Sequence, residues 1–415
     1  MELCPFVPSG TVRAPDSKSH LHRLLFCAAL GNHEVNIICG HYGRDIEATV
    51  RCLRALGAEI TDTDCGLSVR PIRTPPTVVC LDAGESGTTL RLLLPILGAL
   101  GVSADILCRG RLSQRPIAPL DAVLCTHGME ISRDGALLRV RGILTAGHFR
   151  IAGNVSSQFI TALLLALPLL DGESRLEVLP PVESAGYILL TEQVIQQAGI
   201  CCEKDKYVYI IYGNQHPALP SVISAEGDWS NAAALLCMGA FSPGSVTVTG
   251  LSAASCQPDR AVSDLLRASG AELSEAENGI TVREGRHLPF TADASACPDL
   301  VPVLCVLAAC ALGESRIVNA ARLRLKESDR LSGMAELLRT LGAEVSEAPD
   351  ALTIRGVPRF RSCLVDTRGD HRLAMAAAVA ACRADGAITL SDAACVGKSD
   401  PFFWETYQHL GGCCL

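Results

Sequence analysis

The sequence predicts an α/β fold of the α+β type, with two domains that each contain three β-α-β-α-β-β repeat units with buried helices. Three observations support this prediction. A glycine-marked phrase recurs at a period of about 71 residues, and six polar turns each lead into a strongly apolar helix. The chain has 415 residues, more than one hydrophobic core usually supports.

The glycine-marked phrase consists of an amphipathic helix, a glycine, a short strand, a polar turn and a second strand. Its glycines are separated by 71, 71, 71 and 72 residues, and they are Gly57, Gly128, Gly199, Gly270 and Gly342. Glycine readily adopts the left-handed conformation that follows a helix end. Each glycine is therefore predicted to mark the C-terminus of a helix.

The apolar helices begin at intervals of 68 to 73 residues, with predicted first residues near Ser19, Thr88, Ser157, Ser230, Pro298 and Asp370. They are apolar nearly all round, which is typical of helices buried inside a domain. Six units divide most simply into a first domain at 15–225 and a second domain formed by 1–14 and 226–415. This division leaves the first strand able to pair into the second domain.

The net charge and residue composition exclude several classes of binding partner. The net charge of -8, from 36 basic and 44 acidic residues, argues against binding to nucleic acid or to a membrane surface. The apolar runs are too short to cross a bilayer, and the first residues lack a signal peptide. Most of the 20 cysteines lie in apolar contexts and are predicted to be buried and reduced, without a metal. We expect a cytoplasmic monomer without cofactors.

Unusual polar residues concentrate where the apolar helices begin. Lys18 and Ser19 stand at the first start, Gly87 at the second, and Ser156, Ser157 and Gln158 at the third. A helix N-terminus binds anions through its free amides and its dipole, although ordinary helix capping is an alternative explanation, least so for the two serines at the third start. Arg115 lies next to a rigid proline, which suits a two-pronged grip on phosphate or carboxylate.

The second half carries more charge at these positions. Asp299 lies at a helix start, residues Arg322 to Arg330 form the densest charge cluster, and Arg372 lies at a further start. A solvated turn is the usual meaning of such a run. Only five lysines occur in the chain, however, and Lys326 and Lys398 are two of them. Helix starts that meet in three-unit domains predict a positive site for small, multiply anionic substrates.

These motifs, in this order, resemble the 5-enolpyruvylshikimate-3-phosphate synthase family over essentially the whole chain. The most specific are Lys326-Glu-Ser-Asp-Arg330 and Asp370-His-Arg372, with Pro15-Asp-Ser-Lys18-Ser19 and Glu85-Ser-Gly87 in support. The resemblance implies the enolpyruvyl transferase fold, with the active site in the cleft between two domains. It implies transfer of the enolpyruvyl group of phosphoenolpyruvate to the 5-hydroxyl of shikimate 3-phosphate, with release of phosphate and without a metal or cofactor.

The resemblance also assigns the site. The residues implied to bind phosphoenolpyruvate are Lys18, Gly87, Arg115, Gln158, Arg330, Arg372 and Lys398. Those implied to bind shikimate 3-phosphate are Lys18, Ser19, Arg23, Ser156, Ser157, Gln158, Ser184, Asp299 and Lys326, with Tyr187 nearby. Asp299 is the candidate base for the attacking hydroxyl, and Glu327 with Lys18 the candidates for protonating the methylene carbon. Gly87 further implies inhibition by glyphosate.

Some positions depart from the common family pattern. Asp16 replaces a frequent glycine, and Glu85 and Arg322 stand where asparagine is common, so we leave Glu85 and Arg322 out of the site. One alternative is UDP-N-acetylglucosamine enolpyruvyl transferase, whose usual catalytic cysteine precedes the Arg-Pro motif. No cysteine occurs at that offset before Arg115 here. The other alternative is a non-catalytic repeat scaffold, which explains the period but not the lysines at the helix starts.

Overall fold

The computed structural model describes residues 1–276 and 279–415, which divide into two compact units. The continuous unit comprises residues 18–225, and the discontinuous unit comprises residues 1–17 and 226–415. The prediction assigned residues 15–17 to the first domain, and this was wrong. The Ser17 N–H donates to the Glu226 carbonyl at 2.7 Å, and the Asp228 N–H donates to the Pro15 carbonyl at 2.8 Å. These bonds hold residues 15–17 in the discontinuous unit.

The helices and strands follow in chain order. Residues 1–17 form β1 (Glu2–Cys4) and β2 (Gly10–Arg13). The continuous unit contains α1 (Lys18–Ala29), β3 (Val35–Ile38), α2 (Arg44–Ala55), β4 (Glu59–Thr63), β5 (Gly66–Arg70), β6 (Val78–Gly84), α3 (Gly87–Ala99), β7 (Ser103–Cys108), α4 (Leu120–Cys125), β8 (Met129–Asp134), β9 (Leu137–Gly142), β10 (His148–Ala152), α5 (Ser157–Ala166), β11 (Ser174–Leu179), α6 (Ala185–Gln197), β12 (Cys202–Asp205), β13 (Val208–Ile211) and β14 (Val222–Ser224).

The rest of the discontinuous unit contains α7 (Trp229–Gly239), β15 (Val246–Thr249), α8 (Val262–Ala268), β16 (Glu272–Ala276), β17 (Gly279–Arg283), β18 (Thr291–Asp293), α9 (Val301–Ala308), β19 (Glu314–Val318), α10 (Arg330–Thr340), β20 (Glu344–Glu347), β21 (Leu352–Arg355), β22 (Cys363–Val365), α11 (His371–Ala381), β23 (Ile388–Leu390), α12 (Phe403–His409) and β24 (Cys413–Cys414). Short 3₁₀ helices precede α4, α8, α10 and α12, and another follows α5.

Over the described residues, each repeat unit forms a four-stranded sheet with one shared topology. In the order β6-β7-β9-β8, for example, the first two strands are parallel and the later pairs are antiparallel. Two N-terminal strands complete sheets whose other strands lie far along the chain. Strand β2 pairs parallel to β15, and β1 lies between β23 and β24. The expected pairing of the N-terminal segment into the second domain is therefore confirmed.

The five glycines predicted to end helices all have positive φ angles, between 71° and 102°. That prediction is confirmed. A sixth glycine of this kind, Gly411, follows α12 with φ of 100°. Gly411 was not predicted from the glycine-marked phrase, because Gly-Gly-Cys-Cys follows this helix instead of a Gly-Ala-Glu pattern.

Five of the six apolar helices start within one residue of their predicted position. The exception is α9, which begins at Val301 rather than at Pro298. Residues 298–300 form a turn instead, in which the Leu300 N–H donates to the Cys297 carbonyl at 3.1 Å. This turn places Asp299 before the helix rather than inside it.

Each unit has its own hydrophobic core, built around its apolar helices. In the discontinuous unit α7, α9 and α11 contact one another, and every residue of α9 is buried. In the continuous unit α3 packs on α5, while α1 packs on α2 and α6. Nine of the 20 cysteines are fully buried, so the prediction that most of them are buried was too high. The remainder lie mainly on strands and loops, where one face is open to solvent.

Candidate active site

The continuous unit holds Lys18 against a carboxylate from the next helix. Lys18 begins α1, and its Nζ lies 2.9 Å from Oδ2 of Asp45 in the first turn of α2. The Lys18 side chain is 19% exposed and that of Asp45 only 6%. The lysine head therefore keeps access to solvent while the carboxylate fixes its position.

A chain of buried hydroxyls ties α1, α2 and α3 together beneath this ion pair. Nδ1 of His22 lies 2.8 Å from Oγ1 of Thr49, which lies 2.6 Å from Oγ1 of Thr89. The Thr89 hydroxyl donates to Oγ of Ser86, the N-cap of α3, at 2.7 Å. Burial lowers the pKa of His22 to about 3, and Lys18 and Arg23 add to the effect. His22 is therefore a neutral structural group at physiological pH.

Arg23 is nearly fully buried, at 3% exposed, among oxygen acceptors. Its Nε donates to Oγ1 of Thr191 at 2.8 Å, and its Nη2 donates to Oγ1 of Thr161 and to the Tyr187 carbonyl. Its Nη1 donates to the Ser19 carbonyl at 2.7 Å. The guanidinium thus joins α1, α5 and α6, and the acceptors that hold it are neutral.

The second and third helix starts meet through arginine side chains. A Cβ added to Gly87 would lie 2.8 Å from Nη1 of Arg115, so the guanidinium of Arg115 packs directly on the start of α3. Oε1 of Gln158 accepts from Nη1 of Arg91 at 2.6 Å, and its Nε2 donates to Oγ1 of Thr88 at 2.8 Å. Gly87, Arg115 and Gln158, predicted from sequence, therefore lie at neighbouring helix starts.

The remaining predicted residues of the continuous unit lie at the starts of α5 and α6. Ser156 is the N-cap of α5, and its hydroxyl accepts from the Gln158 N–H at 3.3 Å. Ser157 is the first residue of that helix and is 7% exposed. Ser184 precedes α6 with a φ of 53°, a left-handed conformation that is costly for a residue other than glycine.

The discontinuous unit places two carboxylates on one buried arginine. Nη1 of Arg330 donates to Oδ1 of Asp299 at 2.8 Å, and Nη2 donates to Oε2 of Glu327 at 2.7 Å. Lys326 adds a contact to the same oxygen of Asp299 at 3.2 Å. The Arg330 side chain is 1% exposed, whereas those of Asp299 and Glu327 are 24% and 16% exposed. The two carboxylates predicted to be catalytic are thus fixed together and reach solvent.

A third carboxylate anchors this arginine from behind. The carboxylate of Asp370, the N-cap of α11, accepts from Nε and Nη2 of Arg330 at 3.0 and 3.1 Å. It also accepts from the Ser328 hydroxyl at 2.9 Å and from the Arg372 N–H at 3.0 Å. Asp370 is fully buried, and each of its contacts is a donor that suits a carboxylate. The cluster is therefore rigidly held.

Charges in this cluster set the pKa values of its members. Burial would raise the pKa of Asp299, but the charges of Lys326, Arg330 and Arg372 hold it well below its usual range. Burial lowers the pKa of Lys326, against the opposing charge of Asp299. Asp299 is therefore ionised but weakly basic as long as its cationic neighbours are uncompensated.

Arg372 and Lys398 complete the predicted set in the discontinuous unit. Arg372 is 5% exposed in the first turn of α11, and its Nη1 donates to the Ser230 carbonyl at 2.6 Å. Lys398 ends a 3₁₀ helix and is 4% exposed. Both cations are more buried than such groups normally are. Arg330 and Arg372 lie close enough to Asp299 to lower its pKa, which places all three in one cluster.

Four positions with clear roles were missed at the sequence level: Asp45, Arg91, Asp370 and Ser328. Asp370 and Ser328 lie within the quoted motifs, and a buried acidic N-cap beside an arginine-rich turn was the available signal. Asp45 and Arg91 had no local signal, because their partners lie 27 and 67 residues away in sequence. Within residues 1–276 and 279–415, no helix could span a membrane, and no group of three or more His, Cys, Asp or Glu side chains could hold a metal ion.

Comparison with known proteins identifies the family. The family model of EPSP synthase (3-phosphoshikimate 1-carboxyvinyltransferase) matches residues 8–407. The chain belongs to the EPSP synthase family. Among curated relatives, the 3-phosphoshikimate 1-carboxyvinyltransferases of Clostridium kluyveri and Clostridium beijerinckii are each 38% identical to it. Each alignment covers 99% of this chain and 97% of the relative.

Solved structures support the fold of this EPSP synthase family member. EPSP synthase from Acinetobacter baumannii superimposes with a TM-score of 0.81 at 23% identity, covering 99% of this chain and 97% of the other. The enolpyruvyl transferase NikO from Streptomyces tendae gives a TM-score of 0.80 at 18% identity, with the same coverage. The predicted enolpyruvyl transferase fold and the family resemblance are confirmed.

Proposed function

We propose that the chain catalyses transfer of the enolpyruvyl group of phosphoenolpyruvate to the 5-hydroxyl of shikimate 3-phosphate, with release of phosphate. The main support is the arrangement of Asp299 and Glu327, which accept hydrogen bonds from the two Nη atoms of Arg330 at 2.8 and 2.7 Å. Two carboxyl groups in fixed positions, one ionised and one protonated, would provide the proton acceptor and proton donor that an addition-elimination reaction needs. A repeat scaffold without catalytic activity has no need of such a cluster.

In the addition step, the 5-hydroxyl attacks C2 of phosphoenolpyruvate and gives its proton to Asp299. The methylene carbon C3 gains a proton from Glu327, with Lys18 as the second candidate donor, and a tetrahedral intermediate results. The group that protonated C3 then takes a proton back, and phosphate departs with the proton held by Asp299, which regenerates the double bond. Each substrate carries a carboxylate and a phosphate, and each phosphate contributes about -1.5 to -2 charges.

The charge state of the cluster couples substrate binding to this chemistry. In the unliganded protein, Lys326, Arg330 and Arg372 depress the pKa of Asp299. Anionic substrates bound to the same cations would offset their charges and raise the pKa of Asp299 towards its ordinary value. A stronger base would therefore form only when both substrates are present, which favours reaction over side reactions.

The residues of the continuous unit fit the binding role that the resemblance assigns. Arg23, Arg115 and Lys18 supply cations, while Ser19, Ser156, Ser157 and Ser184 supply hydroxyls at helix starts. Gly87 permits a close approach to the start of α3, which Arg115 already contacts. Preorganised donors of this kind bind anions without a large reorganisation of the protein. We propose that these residues bind phosphoenolpyruvate and shikimate 3-phosphate, as the resemblance implies.

The decisive experiment measures phosphate release from phosphoenolpyruvate with two alternative acceptors. We expect turnover with shikimate 3-phosphate and none with UDP-N-acetylglucosamine, and a product whose mass corresponds to 5-enolpyruvylshikimate 3-phosphate. Turnover with the nucleotide sugar alone would overturn the proposal in favour of the related transferase. The absence of turnover with either acceptor, in a folded preparation, would also reject it.

We also propose that the enzyme works as a monomer in the cytoplasm, without a cofactor. Light scattering on a sizing column should give a mass near 43.8 kDa. Activity in buffer that contains a metal chelator should equal activity without it. A stable dimer or loss of activity in the chelator would contradict these two statements.

A further inference from the structure

A buried amide without a hydrogen-bond partner lies in the first turn of α7. Asn231 is 1% exposed, and its Nδ2 has no hydrogen-bond partner anywhere in residues 1–276 and 279–415. A buried N–H group without an acceptor destabilises a folded protein, so native structures rarely keep one. This amide therefore needs a function that explains its retention.

One backbone contact and one side-chain contact hold Asn231, and the second of these orients its amide. The backbone N–H of Asn231 donates to Oδ1 of Asp228, the N-cap of α7, at 2.8 Å. The hydroxyl of Ser399 donates to Oδ1 of Asn231 at 3.2 Å. Because the carbonyl end of the amide accepts from Ser399, the NH₂ end is the one left without a partner.

The neighbours of this amide are residues already assigned to phosphoenolpyruvate. Ser399 directly follows Lys398, and Nη1 of Arg372 donates to the carbonyl of Ser230, the residue before Asn231. The Nε of Arg372 is also buried and lacks a partner in the described part of the chain. Two unsatisfied donors and the Lys398 ammonium group thus lie on three segments joined by direct hydrogen bonds.

The nearby carboxylates do not supply the missing acceptor. Oδ1 of Asp228 accepts from the backbone N–H of Asn231, and Oδ1 of Asp400 accepts from the Phe402 N–H at 3.0 Å. The buried Asp259 accepts from the Ser230 hydroxyl through its Oδ2. An added oxyanion offers several acceptor oxygens at once and is attracted by the two cations and by the N-terminus of α7. The chemistry of the donors therefore matches a phosphate or carboxylate group.

We propose that Asn231 is a further anion-binding residue, whose Nδ2 donates to an oxygen of the phosphate or carboxylate group that Arg372 and Lys398 bind. Ser399 is a positioning residue that holds the amide in the orientation needed for this contact. The inference rests on the proposed function, because that function assigns Arg372 and Lys398 to phosphoenolpyruvate.

The test measures ligand binding by calorimetry on Asn231→Leu, which has a similar volume but no donor. We expect phosphoenolpyruvate binding to weaken about 10-fold, as expected for a lost hydrogen bond to a charged group. Shikimate 3-phosphate binding should stay within about twofold. The melting temperature without ligand should change little, since an unsatisfied buried donor is removed but the buried Ser399 hydroxyl loses its acceptor. Asn36→Leu, on the exposed side of β3, is the control for a new surface leucine.

Two probes distinguish the ends of the ligand. Weaker binding of inorganic phosphate with unchanged binding of malonate assigns Asn231 to the phosphate group, and the reverse pattern assigns it to the carboxylate. The less bulky Asn231→Ala serves if the leucine variant fails to fold. Wild-type affinity for phosphoenolpyruvate and both probes in a folded Asn231 variant would overturn the inference. Loss of acceptor turnover in the wild type, with the phosphate effect of Asn231 retained, would instead reject only the proposed function.

Discussion

Two buried arginines, Arg23 in the continuous unit and Arg330 in the discontinuous unit, differ in the acceptors that hold them. In the continuous unit, Arg23 is held by hydroxyl and carbonyl oxygens, so its charge is not neutralised by those acceptors. In the discontinuous unit, Arg330 is held by the carboxylates of Asp299, Glu327 and Asp370. Hydroxyl and carbonyl acceptors orient a guanidinium without cancelling its charge. A cation surrounded by carboxylates instead positions groups that transfer protons.

This difference indicates that the two units have different functional roles, a division of labour within one fold. The same repeat topology supplies the helix starts in both units, so the fold does not determine the chemistry. The side chains at those starts do. Serines, a glycine and a glutamine dominate in the continuous unit, whereas acidic and basic residues dominate in the discontinuous unit. We therefore expect substitutions in the two units to change different kinetic quantities.

The largest expected effect is the loss of turnover on Asp299→Asn. The amide keeps the size of the side chain but cannot accept the hydroxyl proton, so kcat should fall by about 10²- to 10⁴-fold. The melting temperature should fall only modestly, because the change removes the charge that pairs with Lys326 and Arg330 but creates no cavity in the core. Steady-state assays and calorimetric melting measure both quantities. A variant that retains normal turnover would remove Asp299 from the chemistry.

The second effect is a pH-dependent stability carried by Asp400 in the discontinuous unit. Burial raises the pKa of Asp400 from 3.8 to about 6, with Asp228 adding to the shift and Arg372 opposing it. The folded protein therefore holds this proton more tightly than the unfolded chain does. The stability that Asp400 contributes is fully present below about pH 4 and is lost as the pH rises through 6.

The variant that tests this is Asp400→Asn. We expect it to be more stable than the wild type at pH 7 by up to about 3 kcal/mol, and to be similar at pH 4. Urea unfolding followed by tryptophan fluorescence reports this unit alone, because both tryptophans, Trp229 and Trp404, lie in it. Asp264→Asn, whose side chain is 87% exposed, is the control. Equal stability differences at both pH values would show that Asp400 titrates normally.

The third effect is a pH dependence of stability in the continuous unit, and its sign is opposite to that of Asp400. Burial lowers the pKa of His22 from 6.5 to about 3, so the unfolded chain binds this proton more readily. The contribution of His22 to stability is fully present above pH 6.5 and is lost as the pH falls, by about 2 kcal/mol at pH 5. Pulse labelling of the buried thiols of Cys27 and Cys52 reports unfolding of this unit.

His22→Gln should abolish this acid sensitivity, although it should lower stability at pH 7. Between pH 6 and 4 the wild type should thus show opposite trends in the two readouts, with thiol labelling of the continuous unit rising while the tryptophan transition moves to higher urea. Parallel trends would contradict the contrast between the units.

The smallest predicted effect concerns the glycine at the start of α3. An added methyl group at Gly87 would lie 2.8 Å from Nη1 and 3.0 Å from Cζ of Arg115, so the guanidinium must move. For Gly87→Ala we expect the KM for phosphoenolpyruvate to rise about 10-fold, or about 1.4 kcal/mol, with kcat changed less. Competitive inhibition by glyphosate should weaken at the same time. Gly244→Ala, where the nearest atom lies at 3.5 Å, is the control, and equal KM values would reject the contact.

Much of the fold could be predicted because local backbone rules repeat along the chain. Each helix-ending glycine has the positive φ that its position requires, and helix starts follow capping rules. The two errors have different causes. Residues 15–17 pair with residues 226–228, and this tertiary contact leaves no mark in the local sequence. The turn at 298–300 that delays α9 is local, and Pro302 in the first turn of α9 was the available signal.

The site was predictable only in part, for a related reason. Motifs mark side chains that lie near a helix start, but they do not reveal partners brought in from elsewhere. Asp45 reaches Lys18 from the next helix, and Arg91 reaches Gln158 across 67 residues. The lack of a hydrogen-bond partner at the Asn231 amide can be recognised only when the positions of all neighbouring acceptors are known.

The most direct test of the proposed division of labour compares Ser157→Ala with Glu327→Gln in binding and turnover. Ser157 belongs to the continuous unit and Glu327 to the discontinuous unit. We predict that Ser157→Ala weakens shikimate 3-phosphate binding about 5- to 10-fold while kcat stays near wild type. Glu327→Gln should bind the same ligand within about twofold while kcat falls at least about 100-fold. The reverse pattern, with weak binding in Glu327→Gln and slow turnover in Ser157→Ala, would contradict the assignment.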